Sequence, residues 1–247
     1  MCLIAWNWQP DKGLLLLANR DEFYARPTLP LHRWPDASVL AGKDLQGGGT
    51  WLGLGRGGRL AALTNVRDPG QFRADAPSRG ALVADFLRGD MSGSEYLQQV
   101  RPQATAFNPF NLLLFDGECL LGFESQGART VSLPAGVNAV SNARFNTPWP
   151  KLQRLTQALR QRGMPDVVQP QDLLPLLTDA QTASDAQLPY TGVPLETERA
   201  LSAAFIRTPD YGTRACSIVR VQGHQARFWE QGFDAAGAGS LLCMANT

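Results

Sequence analysis

Two apolar runs joined by a turn open the chain, and they constrain its fold more than any other feature. The runs cover Cys2–Trp8 and Leu14–Asn19, and the segment Pro10-Asp11-Lys12-Gly13 lies between them. Proline, aspartate and glycine are turn residues, so this pattern predicts a β-hairpin. The second run begins with four consecutive leucines instead of alternating apolar and polar residues. A strand of that kind is buried on both faces, which predicts a sheet covered by other layers on both sides.

The rest of the chain alternates between blocks of predicted strands and blocks of predicted helices. Residues 23–49 are rich in proline and glycine, and they predict a long loop. Further strands are predicted over Thr50–Leu54, Arg59–Val66, Asn111–Phe115, Cys119–Glu124, Thr130–Leu133, Ala215–Val221 and Ala226–Glu230. Helices are predicted over Gly80–Arg88, Tyr96–Val100, Gln171–Leu177 and Glu196–Phe205, and from Pro150 to a stop at Gly163.

Separate blocks of strands and helices are typical of an α+β fold. We expect a four-layer αββα sandwich, in which two antiparallel sheets pack together and helices cover both outer faces. No segment of the sequence has the composition of a domain linker. We therefore expect one domain over residues 1–247.

The bulk composition excludes several classes of partner. The 247 residues carry a net charge of +1, which gives no electrostatic basis for binding nucleic acid or an anionic membrane surface. No apolar run is long enough to span a bilayer. The four cysteines, Cys2, Cys119, Cys216 and Cys243, are scattered without paired spacing. This spacing indicates a reducing compartment, hence the cytoplasm, and predicts no metal site.

Cys2 is the strongest candidate for chemistry. Removal of Met1 would leave a thiol and a free α-amine on one residue. An α-amine titrates near pH 7.7–8 and a thiol near 8.5, so the amine is suited to accept the thiol proton. The alternative is a small buried apolar residue at the start of a strand.

Charged and amide side chains follow several of the predicted strands. Arg20, Asp21 and Glu22 end the second strand of the hairpin, which brings them back toward Cys2. An arginine there would lower the pKa of the thiol, and a carboxylate would orient the α-amine. Asn65 and Asn142 end two further apolar runs, and a side-chain amide can donate to a developing oxyanion. The alternatives are a solvated ion pair and ordinary turn residues.

These motifs together resemble the NRDE family, the group named after the transport and Golgi organisation protein 2. The matching segments are Cys2, Ala18–Phe23, Gly48–Gly53, Ala62–Asn65, Ser141-Asn142 and Tyr211–Arg214. That family is similar in fold to the N-terminal nucleophile hydrolases, which implies an αββα sandwich. Within those hydrolases the pattern looks most like choloylglycine hydrolase and penicillin V acylase.

The resemblance implies a Cys-dependent amide hydrolase that cleaves the C–N bond of a small acyl-amide without a cofactor. Cys2 would be the nucleophile and its α-amine the base. The implied supporting residues are Arg20, Asp21, Glu22, Asn65, Asn142 and Arg214. Alignment on Glu22-Phe23 puts Asn19 where the hydrolases have an arginine and displaces Arg20 by one position. Neighbouring strand residues face opposite sides of a sheet, so which of the two faces Cys2 stays open at this point.

The family is also implicated in haem movement and acyl-lipid homeostasis, which implies a non-enzymatic alternative. The same cleft would then hold haem or an acyl lipid as cargo. Cys2, His32 and His224 are the candidate axial ligands of such a haem. Trp6, Trp8, Trp34 and Trp51 could wall an apolar pocket, or they could belong to the core.

Overall fold

Thirteen strands form two antiparallel sheets in the computed structural model, which describes residues 2–35 and 39–246, the last of these by its backbone alone. In chain order the strands are β1 (Cys2–Gln9), β2 (Gly13–Phe23), β3 (Thr28–Arg33), β4 (Leu40–Asp44), β5 (Leu52–Leu54), β6 (Leu60–Asn65), β7 (Phe110–Phe115), β8 (Leu120–Glu124), β9 (Arg129–Ser132), β10 (Gly136–Val140), β11 (Tyr211–Gln222), β12 (Gln225–Asp234) and β13 (Gly237–Asn246). The first sheet has the order β10-β1-β2-β11-β12-β13, and the second runs from β3 to β9 in sequence order.

Five α-helices lie outside the two sheets. They are α1 (Gly80–Arg88), α2 (Gly93–Val100), α3 (Pro150–Arg162), α4 (Pro170–Leu177) and α5 (Leu195–Leu201). Helix α3 begins at a proline, which is favourable at a first helical position, and it ends at Gly163 with a positive φ of 69°. Helix α2 carries the reciprocal capping box of Ser92 and Glu95.

Three apolar clusters separate four layers. The cluster between the sheets includes Ile4 and Trp6 from β1 and Leu52 and Leu113 from the second sheet. A second cluster packs α1 and α2 against the outer face of the second sheet. A third packs α3 and α4 against the outer face of the first sheet. The predicted α+β sandwich of two antiparallel sheets flanked by helices is therefore confirmed.

The central strand β2 shows why the leucine run does not alternate. Leu14 and Leu16 point into the cluster between the sheets, whereas Leu15 and Leu17 point into the cluster under α3 and α4. All four side chains are fully buried. The continuous apolar pattern predicted burial on both faces, and the structure confirms it.

The prediction of one long loop over residues 23–49 is wrong, because β3 and β4 lie in this segment. Pro30 falls inside β3, and a proline in a predicted strand argues against a central position. The structure places β3 at the edge of the second sheet, where the missing N–H of proline leaves no ladder bond broken. Strand β13 was not predicted either. It lies at an exposed edge of the first sheet.

Across residues 2–35 and 39–246, no helix combines the length and the apolar character that crossing a membrane requires.

Candidate active site

The register of the first hairpin places Cys2 directly opposite Arg20. Opposed residues of an antiparallel pair share a face of the sheet, so both side chains point into the space between the two sheets. Asn19 faces the other way, where its amide donates to the carbonyls of Leu177 and Ala204, each at 2.7 Å. The structure therefore answers the question left open by the alignment: Arg20, and not Asn19, faces Cys2.

Cys2 lies in the wall of a cleft of about 730 Å³ that opens between the ends of the two sheets. One row of the first sheet runs across its floor in register: Cys2, Arg20, Ala215 and Gly232. The last two residues have little or no side chain, which leaves the floor shallow and open. Among the residues predicted from the sequence, the cleft is also lined by Asp21, Glu22, Asn65 and Arg214.

Arg20 belongs to a small ion network on the thiol side of the sheet. Its guanidinium lies 3.8 Å from the Asp44 carboxylate, which is 2.8 Å from Arg26. Arg26 also lies 3.7 Å from Glu22. Glu22 therefore holds the network in place through Arg26. These pairs are partly exposed, so they position the side chains more than they stabilise the fold.

The Cys2 thiol has a raised pKa in this environment. Burial is the largest cause, the negative charge of Asp21 adds to it, and the positive charge of Arg20 opposes it. The side chain is only 7% exposed. A thiol of this kind stays protonated near neutral pH and needs a base before it can act as a nucleophile.

Asp21 lies on the other face of β2, toward the helices, and it is 1% exposed. The hydroxyl of Thr213, its cross-strand partner on β11, donates to the Asp21 carboxylate at 2.7 Å. Burial raises the pKa of Asp21, while the positive charge of Lys151 and the Thr213 hydrogen bond lower it. Asp21 is thus placed beside the start of β1, with its carboxylate on the helix side of the sheet, although the residue also lines the cleft beside Cys2.

Lys151, in the first turn of α3, supplies a buried positive charge to this region. It is 1% exposed, and its ammonium group makes no hydrogen bond with any described residue. Burial lowers its pKa from 10.5 to about 8, against the opposing effect of Asp21. It lies beside the buried ion pair of Arg67 and Glu198, in which the N–O distance is 2.5 Å.

Asn65 and Asn142 form one unit, but only Asn65 lines the cleft. The Asn142 amide donates to the Asn65 backbone carbonyl at 2.9 Å, and the Asn142 carbonyl accepts from the Arg67 N–H at 2.8 Å. The neighbouring Ser141 hydroxyl lies 3.0 Å from the Cys2 carbonyl. The Asn65 side-chain amide forms no hydrogen bond within the described part of the chain, so it is available to a ligand. Asn142 therefore positions Asn65 and the start of β1.

Arg214 is the extra residue of a β-bulge between Thr213 and Ala215. Its guanidinium donates to the backbone carbonyls of Phe23, Tyr24 and Arg26 at 3.0–3.2 Å, and to that of Phe233 at 3.1 Å. It fixes the segment that follows β2 and closes one end of the cleft. This is a positioning role, and the sequence predicted only a distal supporting arginine.

The structure does not bring the three candidate haem ligands together. His32 lies on the edge strand β3, where its Nδ1 is 2.8 Å from the Pro30 carbonyl oxygen. His224 is exposed in the turn between β11 and β12, and neither histidine lines the cleft. Of the four tryptophans, Trp51 alone lines the cleft. Trp6 and Trp34 are buried in core clusters, whereas Trp8 and Trp51 are partly buried and pack against the cluster between the sheets. The described ranges contain no cluster of histidine, cysteine or acidic residues that could hold a metal ion.

Several charged residues of this region were not predicted from the sequence, among them Arg26, Asp44, Arg79, Lys151 and Glu230. Arg79 is half-buried in the cleft wall and donates to the Pro109 carbonyl at 3.2 Å. Lys151 carried a detectable signal, since it lies four residues before Leu155 on the apolar face of a predicted helix. Arg79 and Glu230 carried none, because only the packing of the two sheets brings them to the cleft.

Comparison with known proteins agrees with this architecture. A family model described as Transport and Golgi organisation 2 matches residues 1–235. The chain belongs to this family. It is 35% identical over 254 residues to the bovine Transport and Golgi organization protein 2 homolog, covering 91% of this chain and 90% of the relative. The human homolog is 34% identical with the same coverage. The resemblance drawn from the NRDE and related motifs is therefore confirmed.

A solved structure shares the family fold at low sequence identity. It is the Caenorhabditis elegans N-acylethanolamine-hydrolyzing acid amidase ortholog, with a TM-score of 0.50 and 12% identity. The match covers 72% of this chain and 86% of that protein. At this identity the likeness concerns the fold alone. This chain therefore shares its fold with that amidase ortholog, in agreement with the αββα sandwich that the sequence resemblance implied.

Proposed function

We propose that this protein is a Cys2-dependent amide hydrolase that cleaves the C–N bond of a small acyl-amide. The observation that carries the proposal is the placement of Cys2, which lines a large cleft directly opposite a guanidinium at the start of the chain. A thiol that merely filled core space would face hydrocarbon on all sides. Here its face of the sheet continues into Arg20 and then into an open floor.

The reaction needs Met1 to be removed, and Met1 lies outside the described residues. The freed α-amine of Cys2 accepts the thiol proton, which the raised thiol pKa makes necessary. The thiolate attacks the amide carbon, and a carbon–sulfur bond forms as the carbonyl oxygen becomes an oxyanion. The Asn65 amide is the candidate donor to that oxyanion.

Collapse of this intermediate breaks the C–N bond. The departing amine takes the proton held by the α-amine and leaves an acyl thioester on Cys2. Water then attacks the thioester carbon, its proton passes through the α-amine back to the thiol, and a carboxylic acid is released. Asp21, held by Thr213, is placed to orient the α-amine from the opposite face. Arg20 offsets the thiolate charge, and Glu22, Asn142 and Arg214 hold these groups in position.

The decisive test is intact mass of the mature protein before and after incubation with an electrophilic amide such as a chloroacetamide. We expect loss of Met1 and a single adduct at Cys2, formed faster than at the exposed Cys119 and Cys243. Cys2→Ala should abolish the fast adduct, whereas Cys119→Ala should leave it unchanged. Retention of Met1, or labelling of Cys2 no faster than of the exposed thiols, would contradict the proposal.

A second candidate function is binding and transfer of an acyl lipid in the same cleft without hydrolysis. It is favoured by two apolar side chains at the cleft rim, Phe72 and Leu29, which are 69% and 42% exposed. Haem is the weaker form of this candidate, because neither histidine reaches the cleft. We expect a fluorescent fatty acid to bind wild type and Cys2→Ala equally if transfer is the function, with no thioester in the mass spectrum.

We place either activity in the cytoplasm. All four cysteines of the chain are free thiols in the structure, which supports a reducing compartment.

A further inference from the structure

Glu230 is a buried acid in the cleft that the proposed reaction does not use. It lies on β12 and is 4% exposed, yet its side chain lines the cleft. Its Oε1 accepts the Leu31 backbone N–H at 2.7 Å. Its Oε2 makes no hydrogen bond with a described residue and lies beside Gly42, where an added Cβ would be 3.9 Å from it. One carboxylate oxygen is therefore satisfied by the protein and the other is not.

The sheet register fixes where this oxygen lies relative to Cys2. Gly232 shares the floor row with Cys2, and Glu230 is two residues further along β12, on the same face. Cys2 and β12 are three strand spacings apart, which is about 14 Å across the sheet. Ser217, the cross-strand partner of Glu230, is fully buried, and its hydroxyl makes no hydrogen bond in the described structure.

The charge of Glu230 is also left without a close partner. Among the described residues, no lysine, arginine or histidine nitrogen lies within 4 Å of its carboxylate. Burial raises the pKa of Glu230, and the charges of Arg20 and His32 oppose that shift only from beyond 4 Å. Arg20 is also engaged by Asp44. A buried carboxylate with one donor is costly unless something supplies both a hydrogen bond and a positive charge. An ammonium group supplies both, whereas a hydroxyl supplies only the first.

We propose that Glu230 forms a subsite for a protonated amine carried by the ligand, roughly 16 Å from Cys2 when the two-residue offset along β12 is combined with the three strand spacings. This inference rests on the proposed function only in assigning Cys2 to the reacting end. The open floor at Ala215 and Gly232 leaves room for a chain that joins the two ends. Apart from its two chain neighbours, no atom of residues 2–35 or 39–246 lies within 4 Å of an added Cβ at Gly232.

The test measures equilibrium binding in the Cys2→Ala background, where no turnover occurs. The probes are N-acetyl-1,10-diaminodecane and two counterparts whose arms end in a methyl or a hydroxyl group. We expect the ammonium probe to bind about 10-fold more tightly than the hydroxyl probe, the effect of one charge-assisted hydrogen bond. Glu230→Gln keeps an acceptor for the Leu31 N–H and should reduce that preference to about 1-fold.

A matched control is Glu124→Gln. Glu124 is 2% exposed and accepts the Phe145 backbone N–H at 3.1 Å, but it does not line the cleft. This variant should keep the full preference for the ammonium probe. Equal binding of the ammonium and hydroxyl probes, a preference that persists in Glu230→Gln, or no binding of any probe would overturn the subsite. Chloroacetamide labelling of Cys2 tests the proposed function separately, because it does not depend on Glu230.

Discussion

Single residues on the two faces of β2 define the site. Arg20 faces the thiol and the cleft, while Asp21, one position further, faces Thr213 and the helices. These residues were predictable because they end an apolar run that a tight turn brings back to Cys2. Their faces were not, since the face of each residue depends on the register of strand pairing. Lys151, Arg79 and Glu230 come from distant elements, and their proximity follows only from the packing of the layers.

Lys151 gives the molecule a pH-dependent stability that a variant can isolate. Its pKa is about 8 in the folded protein against 10.5 in an unfolded chain. Between these values the unfolded state binds more protons, so the unfolding free energy rises with pH. The loss of unfolding free energy caused by burying the charged Lys151 ammonium is complete below pH 8 and absent above about pH 10.5.

We therefore expect the stability of wild type, relative to Lys151→Met, to increase by roughly 3 kcal/mol between pH 8 and pH 10.5. Urea denaturation at several pH values measures it, and the comparison cancels the titration of tyrosines and cysteines shared by both proteins. Lys12→Met, at an exposed lysine, should show no such trend. A difference that stays constant over this range would contradict the buried-amine interpretation.

At the scale of elements, the strands and helices with strong local patterns were predictable. The first hairpin, α1, the strands β7 and β8, and α3 all follow from apolar runs flanked by turn or capping residues. Strands β3, β4 and β13 were missed. Strand β3 contains a proline, and β13 is an exposed edge strand, so neither shows the burial pattern from which strands are inferred. Strand β4 has five residues and lies in the same proline- and glycine-rich segment as β3. Helix α5 ends at Leu201, four residues before the predicted end.

The β-bulge at Arg214 is an element-scale feature with a measurable consequence. Its guanidinium holds four backbone carbonyls, so Arg214→Met should leave them with weaker partners and destabilise the protein by about 1–3 kcal/mol. Hydrogen exchange of residues 23–28 should become faster, and Cys2 labelling slower. Arg227→Met, at an exposed position of β12, is the control. Unchanged exchange in 23–28 would show that other contacts hold this segment.

At the scale of the whole molecule, the core between the two sheets sets how far apart the sheets lie. That separation is also the width of the cleft. Trp6 is fully buried in it and packs edge-on against Phe145, with ring centroids 6.1 Å apart. The four-layer arrangement itself was predictable, because the leucine run of β2 requires cover on both faces. Which tryptophans belong to the core and which line the cleft was not predictable, because the alternation of side chains along a strand does not distinguish a cleft wall from a core.

Two tryptophan substitutions separate these roles. Trp6→Ala should cost about 3–5 kcal/mol of unfolding free energy, because a large cavity would remain between the sheets. Trp51→Ala, at the half-buried cleft wall, should cost less but weaken binding of a fluorescent fatty acid. Chemical denaturation and fluorescence titration measure the two effects. Equal stability losses in both variants would assign Trp51 to the core as well.

Because adjacent residues of β2 point to opposite sides, the residues that line the cleft and the buried charged residues on the helix side can change independently. A related protein could lose the carboxylate at position 21 and still keep a cleft lined by Arg20. Conversely, residues at the rim of the cleft could change to bind a different ligand while the buried charged residues on the helix side stay the same. One strand thus carries two sets of residues on which selection can act separately. Proteins with this fold can therefore differ in hydrolysis or ligand binding while the fold stays the same.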